Sequence, residues 1–468
     1  MIIDSYSRLA LRILLFGYIG ACIVFGGASR EGYVAQTILA GIASLGLVAI
    51  FAFRPIDWLK GHILVVYGFV LALFLLILAQ LIPLPESVWG DWANRDVVLD
   101  GFTILGQSVP NLPLSFTPEQ TLRSLTQFLP PLFIFTLLAV VPRDDYSRLM
   151  LWGIPFLAFV SAALGGVQLA TGAKSDFYLY EITNRGFPVG VFSNVNHQAT
   201  LMLIGLPFIA SLISRRRGSY GASDLDIALN ILIGMFTLII LLGLFGAGSL
   251  AGYGILIPVL GACFLLLKRQ RRAVPGEMEK TDTIWILGAG AGLIAFAIAL
   301  TATSPVLDRL GITSFGDGEL SRLGILGTSQ EVLANHYLLG TGLGAFDEVF
   351  KLYENADSVT GTFANHAHND YLQWLIEMGL PGALLLIGFL VWWAGRCIDI
   401  WTASPSNSSG IRRAASIGTL VIFLHSFVDY PLRTPAISVL AATCLALMIV
   451  PHRSYGTEKP KKSQRIDL

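Results

Sequence analysis

Long apolar runs dominate the chain, and the polar residues gather between these runs instead of alternating with them. Residues 63–82 and 284–303, for example, are almost free of charge. A helix of about 20 such residues crosses the hydrocarbon core of a bilayer, whereas a transmembrane barrel needs shorter segments of alternating polarity. The pattern therefore predicts an all-α integral membrane protein.

The apolar runs predict about twelve transmembrane helices in a single polytopic membrane domain that covers residues 1–468. No small-residue cleavage site separates the first run from the second, so we expect the first helix to be retained. The predicted spans lie near residues 9–28, 34–53, 62–82, 122–141, 149–170, 198–213, 227–246, 248–267, 283–303, 373–395, 414–428 and 436–451.

The composition agrees with a membrane protein, and the distribution of charge predicts its orientation. The chain is 54% hydrophobic and 13% charged, which is more apolar and less charged than soluble proteins are. With twelve spans, the basic clusters at 215–217 and 268–272 and the basic tail at 453–468 share one side with both termini. The positive-inside rule places that side in the cytoplasm. We interpret the basic clusters as topology anchors and expect no nucleic-acid partner.

Three long connections are predicted on the outer side of the membrane, at 83–121, 171–197 and 304–372. The last is a large periplasmic loop, and a loop of that length is usually functional because ordering it costs backbone entropy. Inside the spans, ionisable residues are rare, and the sequence shows neither internal repeats nor broken helices, which are typical of secondary transporters. We therefore expect the chemistry at the outer face.

The cysteines predict no metal centre and no disulfide, because they lie in or beside predicted spans without paired spacing. They are Cys22, Cys263, Cys397 and Cys444.

The segment 365–382 carries a concentrated set of polar residues where the large loop enters a predicted helix. Polar residues that recur every four positions form a stripe along one face of this helix, and we expect that face to contact protein or water rather than lipid. The stripe has two interpretations. In the structural one, Asp370 caps the helix with Gln373 as its capping-box partner, and the histidines sit at the membrane interface. In the functional one, His368 is catalytic. The residues that recur every four positions and share this helix face are Asn369, Gln373 and Glu377.

This segment resembles the histidine motif of the O-antigen ligase and O-antigen polymerase family of bacterial membrane glycosyltransferases. The resemblance rests on His368-Asn369, then nine residues, then GLPG at 379–382, and it extends from about residue 180 to 435. Further elements similar to the family are an arginine at 321–322 (SR), a glycine-rich turn at 340–346 (GTGLGAF), an Asn-rich helix entry at 192–199 (FSNVNHQA) and a C-terminal element at 425–433 (HSFVDYPLR).

The resemblance implies transfer of a glycan from undecaprenyl pyrophosphate to an acceptor hydroxyl, by a GT-C-like helical enzyme of the inner membrane that uses no cofactor or metal. Such chemistry needs a base, and a neutral imidazole with a pKa of about 6.5 suits that task. The pyrophosphate leaving group needs fixed cations, and the planar guanidinium of arginine matches phosphate oxygens. We assign His368 as the general base and Arg322 as the pyrophosphate ligand.

One position departs from the family pattern. Many members carry an arginine after a serine between two middle helices, where this chain has Leu250 after Ser249. There are two interpretations. Either another outward arginine binds the phosphate, for which Arg185 is the first candidate and Arg433 the second, or the site works with fewer cations.

Several other residues have two interpretations each. Asn194 and Asn196 cap the helix that begins near residue 198 or bind sugar hydroxyls. Asp429 and Arg433 form a structural ion pair or contact the substrate. For His366 the interpretations are a residue that supports the site without contacting the substrate and a solvent-exposed residue. His197 is expected to be a hydrogen-bonded residue at the helix entry. The substrate-binding prediction comprises Arg185, Asn194, Asn196, Asn369, Gln373 and Arg433.

The expected partners are a lipid-linked glycan donor, a glycan or lipid-linked acceptor, membrane lipids and a chain-length regulator. The long loop and the element at 425–433 favour a polymerase, which adds glycan to another lipid-linked glycan. The alternatives are a ligase that transfers glycan to lipid A-core or protein, and a polysaccharide flippase. A flippase predicts charged residues inside spans and repeat symmetry.

Overall fold

The computed structural model describes residues 5–29, 32–141, 143–216, 224–271, 322–355, 364–404, 406 and 408–450. In these ranges the chain is almost entirely helical, and its strands are Pro83–Leu84 and Leu112–Pro113, which pair antiparallel. The helices are α1 (Ser5–Phe25), α2 (Tyr33–Phe53), α3 (His62–Gln80), α4 (Glu86–Trp89), α5 (Asp96–Ile104), α6 (Pro118–Gln127), α7 (Leu129–Val140), α8 (Arg143–Thr171), α9 (Val195–Arg216), α10 (Asp224–Gly246), α11 (Leu250–Arg271), α12 (Arg322–His336), α13 (Phe346–Lys351), α14 (Asp370–Thr402), α15 (Ser409–His425) and α16 (Pro435–Ile449).

Eight of the predicted spans are confirmed as helices long and apolar enough to cross a membrane. They correspond to α2, α3, the α6–α7 pair, α8, α9, α10, α11 and α14. The predicted spans at 9–28 and 436–451 contain shorter apolar helices, Leu11–Phe25 and Pro435–Ile449. The predicted span at 414–428 overlaps α15, which ends at His425. The span at 283–303 and the tail at 453–468 lie outside the described residues. The chain is thus a helical membrane protein with eight candidate spans in its described part.

The centre of the bundle is formed by α9, α15 and α16. Helix α9 packs against α8, α11 and α15, and α16 packs against α1, α7 and α15. Nearly all of the apolar stretch of α9 is buried, whereas most of α2 and α3 is exposed. Because lipid tails are as apolar as leucine, an exposed apolar face suits the peripheral helices. The central helices instead tolerate polar residues such as Ser211 and Thr443, which are fully buried.

The two ends of the bundle differ in charge. One end gathers the starts of α9, α11, α14 and α16, and we call it the site end. The opposite end carries basic residues, among them Arg143, which is buried and donates hydrogen bonds to the carbonyls of Leu447 and Val450. Arg269 at this end donates to the carbonyl of Thr402.

The orientation leads to a labelling prediction. We expect a cysteine at position 355, introduced into a variant without its native cysteines, to react with a membrane-impermeant maleimide in cells with a permeabilised outer membrane. A cysteine at Thr402, on the opposite end, is the control and should react only after the inner membrane is ruptured. The reverse pattern would overturn the predicted orientation.

Helix α14 is broken close to the site end. Gly379 has φ 60° and ψ −159°, and Pro381 follows within the helix. Proline lacks the N–H that continues a helix, and only glycine adopts this φ without strain. The sequence-based expectation of uninterrupted spans is therefore wrong for α14, although the 23 residues after the break are long enough to cross a bilayer alone.

The glycine-rich turn of the large loop fills the gap that the break leaves. The amide of Thr341 donates to the carbonyl of Ile376 at 2.9 Å, and the amide of Gly342 donates to the carbonyl of Glu377 at 3.0 Å. A Cβ on Gly379 would lie 2.6 Å from the backbone nitrogen of Gly340, so two glycines are needed at this approach. The large loop is thereby joined directly to the helix that carries the histidine motif.

Gln80 at the end of α3 holds the same junction, and the sequence analysis did not identify it. Its side-chain amide donates to the carbonyl of Glu377 at 2.8 Å and accepts from the amide of Leu343 at 3.1 Å, and the residue is buried. We expect Gln80→Leu to lower stability by about 1–3 kcal/mol, because the buried amide of Leu343 loses its partner. Thermal unfolding in detergent, with Gln107→Leu at an exposed position as the control, tests this. Equal melting temperatures for the two variants would contradict it.

Candidate active site

Three segments meet at the site end. They are the loop at 364–369 that precedes α14, the corner at 426–434 between α15 and α16, and the beginning of α9. The backbone N–H of Asp370 donates to the carbonyl of Ser426 at 2.8 Å, which joins the first two segments. The third segment joins through side chains that converge on Asp429.

His368 lies in the loop in a left-handed conformation with φ 49°. A non-glycine residue in this region carries a strain of about 1–3 kcal/mol, which the surrounding contacts must offset. Its Nδ1 lies 3.4 Å from Oδ1 of Asp429, and 26% of the side chain is exposed. An imidazole whose Nδ1 faces a carboxylate carries its proton there and leaves Nε2 as the basic nitrogen.

Asp429 is completely buried and is held from several directions. Its Oδ2 accepts from Nδ2 of Asn194 at 3.2 Å and from Nδ2 of Asn196, and its Oδ1 accepts from the amide of Tyr430 at 3.0 Å. Burial by itself raises the pKa of this carboxyl, but the imidazole of His368 beside it and the other nearby imidazoles hold the pKa well below its ordinary value. An ionised carboxylate therefore stands behind the imidazole.

The two asparagines of the Asn-rich entry make the structural contacts that one of the two interpretations predicted. Oδ1 of Asn194 accepts from the amide of Asn196 at 2.8 Å, at the start of α9, which begins at Val195. Oδ1 of Asn196 accepts from the hydroxyl of Ser249 at 2.7 Å. Their amides are thus used to hold α9, Ser249 and Asp429 together, and a sugar-binding role has no support from these contacts.

The ring of Tyr430 contacts three imidazoles. Ring centroids lie 4.2 Å from His366, 5.0 Å from His368 and 5.3 Å from His197. His366 is half-buried, and its burial, together with the nearby Arg433, lowers its pKa well below the ordinary value. His366 therefore stays neutral and is not the exposed residue that one interpretation predicted. Tyr430 itself was not identified from the sequence.

His197 differs from the prediction of a hydrogen-bonded helix-entry residue. It is 1% exposed, and neither ring nitrogen has a hydrogen-bond partner within the part of the chain that the structure describes. Its contacts are the rings of Phe192 and Tyr430. The prediction of a hydrogen bond is therefore wrong, and His197 packs as an aromatic residue between two other rings.

Arg433 does not pair with Asp429, so the ion pair offered by one interpretation is not formed. Its Nη1 donates to Oε2 of Glu377 at 3.0 Å, and its Nε lies 3.4 Å from Oδ1 of Asp370. Burial lowers the pKa of the guanidinium, but the two carboxylates raise it above its ordinary value. Asp370 also accepts from the hydroxyl of Ser426 at 3.0 Å. Arg433 is thus occupied by two carboxylates, which lessens its suitability for a pyrophosphate.

The polar stripe of α14 is internally satisfied. Asn369 caps the helix, because its Oδ1 accepts from the amide of Leu372 at 3.0 Å, so the cap is not Asp370 as one interpretation had it. Gln373 accepts from the amide of Ala367 at 3.2 Å and donates to Oε1 of Glu377 at 2.9 Å. The stripe therefore links the histidine loop to Glu377 and, through Glu377, to Arg433.

The sequence offered two further cations, Arg185 and Arg322, and one position, Leu250, where the family arginine is missing. Arg185 is exposed, lies over the ring of Tyr178 at 5.4 Å and contacts the carbonyl of Ala173 at 3.5 Å. Arg322 is the first residue of α12, and its side chain lies outside the described part of the structure. Leu250, where the family arginine is missing, is an exposed first residue of α11. Among the predicted cations, Arg433 lies in the cluster, where it contacts Asp370 and Glu377.

An apolar cavity of about 330 Å³ lies next to the cluster. It runs between α7, α14, α15 and α16, and side chains such as Phe389, Phe423 and Leu445 line its deeper part. At the site end it is bounded by Asp370 and Arg433. A cavity of this composition accepts a hydrocarbon chain, and its polar end coincides with the candidate site.

Comparison with known proteins supports the resemblance found in the motifs. Residues 235–387 match a family model described as O-antigen ligase. The matched segment contains His368, the polar stripe and the break of α14. A search of curated proteins finds no match to the chain. The family resemblance is thus confirmed over the segment that carries the histidine motif.

Proposed function

We propose that the chain, whose residues 235–387 match a family model described as O-antigen ligase, is a membrane glycosyltransferase of the polymerase type. It transfers an oligosaccharide from undecaprenyl pyrophosphate to the hydroxyl of a second lipid-linked glycan at the periplasmic face of the bacterial inner membrane. The observation that carries the proposal is the contact between Nδ1 of His368 and the buried carboxylate of Asp429.

In the proposed reaction, Nε2 of His368 removes the proton of the acceptor hydroxyl as its oxygen attacks the anomeric carbon. The bond from that carbon to the pyrophosphate oxygen breaks, and undecaprenyl pyrophosphate leaves with the bonding electrons. Asp429 keeps the imidazole in the tautomer with Nδ1–H and stabilises the imidazolium that forms. The burial of Asp429, and the hydrogen bonds that it accepts from Asn194 and Asn196, support this role.

The leaving pyrophosphate accumulates negative charge and needs fixed cations near it. Arg433 is occupied by Asp370 and Glu377, which favours Arg322 as the principal ligand of the pyrophosphate. Arg185, with an exposed guanidinium at the site end, is the second cation of the proposal. The apolar cavity beside Asp370 and Arg433 is the proposed site for the first isoprene units of the lipid, with the remainder of the chain in the bilayer.

The acceptor distinguishes the alternatives. A ligase would use the same donor chemistry with lipid A-core or a protein as acceptor, whereas a flippase would move the intact lipid without forming a glycosidic bond. The break of α14 and the buried Glu377 are features found in transporters. However, the charge of Glu377 is neutralised by Arg433. The break of α14 is filled by the glycine-rich turn. The pairing of a histidine with a carboxylate favours the enzyme.

Reconstitution of the purified protein tests the proposed function. Proteoliposomes receive a lipid-pyrophosphate oligosaccharide as the only glycan, and the products are analysed for longer glycans and for released undecaprenyl pyrophosphate. A polymerase yields both. Products that appear only after lipid A-core is added would identify a ligase, and movement of the intact donor without either product would identify a flippase.

A further inference from the structure

The histidine loop needs an external support, because His368 has a left-handed backbone with φ 49° and is not glycine. On the C-terminal side of His368, Asn369 is fixed because its side chain caps α14. Asp370 is fixed by the hydrogen bond that its amide donates to the carbonyl of Ser426. On the N-terminal side, the amide of Ala367 donates to Oε1 of Gln373. Gln373 therefore supports the N-terminal side of the loop, which the helix cap does not hold.

The side chain of Gln373 is suited to this task by its chemistry and its surroundings. It is 2% exposed, and Glu377 beyond it is fully buried. Oε1 can only accept and Nε2 can only donate, so the amide of Ala367 on one side and the carboxylate of Glu377 on the other determine its orientation. Glu377 is held in turn by Nη1 of Arg433. A continuous chain of hydrogen bonds thus runs from the histidine loop to the corner at 426–434.

We propose that Gln373 is a positioning residue that holds the Ala367–His368 turn and thereby directs the imidazole of His368 towards Asp429. This role replaces the substrate contact expected from the sequence, because both ends of the amide are occupied by the protein. The proposal rests on the proposed function, in which His368 is the base. It adds that the imidazole of His368 is aligned by Gln373 of α14 as well as by Asp429.

The test compares Gln373→Met, Gln373→Glu and Gln107→Met in the reconstituted reaction, with kcat and KM for the lipid-pyrophosphate donor as the readouts. Methionine keeps the volume of the side chain and removes both hydrogen bonds. Glutamate keeps an oxygen that accepts from the amide of Ala367, and because two carboxylates this close cannot both ionise, it also carries a proton that it donates to Glu377. Gln107 is exposed at the site end, so the same exchange there controls for the substitution itself.

We expect Gln373→Met to lower kcat by about 10- to 100-fold, the scale of a misplaced catalytic group, while KM for the donor changes by less than about twofold. Gln373→Glu should retain more activity than Gln373→Met, and Gln107→Met should match the wild type. A raised KM with unchanged kcat would show that Gln373 contacts substrate and would overturn the proposal. Lower activity for Gln373→Glu than for Gln373→Met would also overturn it, since the acceptor for Ala367 would then be irrelevant.

Two further measurements separate this inference from the function on which it rests. Thermal unfolding in detergent shows whether Gln373→Met folds. If it does not, kcat of Gln373→Glu is compared with that of the wild type. If His368→Ala is inactive while Gln373→Met is fully active, only the positioning role fails. If His368→Ala is itself active, the proposed function fails whatever Gln373 does.

Discussion

Replacement of His368 by alanine is expected to reduce polymer formation by about 10²- to 10⁴-fold, which is the range that a positioned general base contributes. The acceptor hydroxyl is a weak nucleophile until its proton is removed, and His368 is the imidazole whose Nδ1 lies against the ionised Asp429. Membrane insertion should be unaffected, because one partly exposed imidazole at the site end contributes little to hydropathy.

The assay is the accumulation of high-molecular-weight polysaccharide in a strain that lacks the chromosomal gene and carries each variant at matched membrane levels. His366→Ala is the control. Its ring packs on Tyr430, and its pKa is lowered well below the ordinary value, so we expect a milder loss. Normal polymer from His368→Ala together with loss in His366→Ala would move the base to His366. Normal polymer from the double variant would exclude both histidines.

Replacement of Arg322 by alanine is expected to lower turnover by about 10²- to 10³-fold, the cost of removing one ligand of a developing oxyanion. The expectation follows from the charges at the candidate site. Among the described residues of the site, three carboxylates face one guanidinium, that of Arg433; the carboxylates belong to Asp370, Glu377 and Asp429. Two of them, Asp370 and Glu377, already contact this guanidinium. A pyrophosphate therefore needs a cation from elsewhere.

Arg322→Lys should recover only part of the activity, because an ammonium group cannot replace two parallel N–H donors. Initial rates with the lipid-pyrophosphate donor test both variants, with Arg123→Ala as the matched control. Arg123 is an exposed residue of α6 that pairs with Glu119 one turn away, so its loss should be neutral. Full activity in Arg322→Lys would argue against bidentate recognition, and full activity in Arg322→Ala would remove this arginine from the mechanism.

Asp429 and Arg433 show why a separation of four residues does not by itself make an ion pair. Asp429 and Arg433 are four residues apart, the separation at which oppositely charged side chains meet on a helix. However, α15 ends at His425, and the residues that follow turn a corner. The two side chains therefore diverge, and each finds its partner on segments about sixty residues away in the chain, as the pairs His368–Asp429 and Asp370–Arg433 show.

The break in α14 had a partial signal in the sequence. Pro381 lies between two glycines, and this arrangement predicts a kink. The filling of the gap by residues 340–344 and by Gln80 had no such signal, because the hydrogen bonds join positions that are about 35 and 297 residues apart. Nothing local distinguishes Gln80 from any other polar residue at the end of a span.

The sequence by itself determined that the chain is a helical membrane protein, which connections between helices carry polar residues, and that residues 365–382 hold a histidine motif. These properties depend on hydropathy, charge and short motifs, which act locally or through the bilayer. Only the tertiary structure decided that Asp429 faces His368, that Gln373 supports the histidine loop and that Arg433 is neutralised by two carboxylates. Those contacts depend on how distant helices pack, and a buried polar group pairs with whichever partner packing brings within reach.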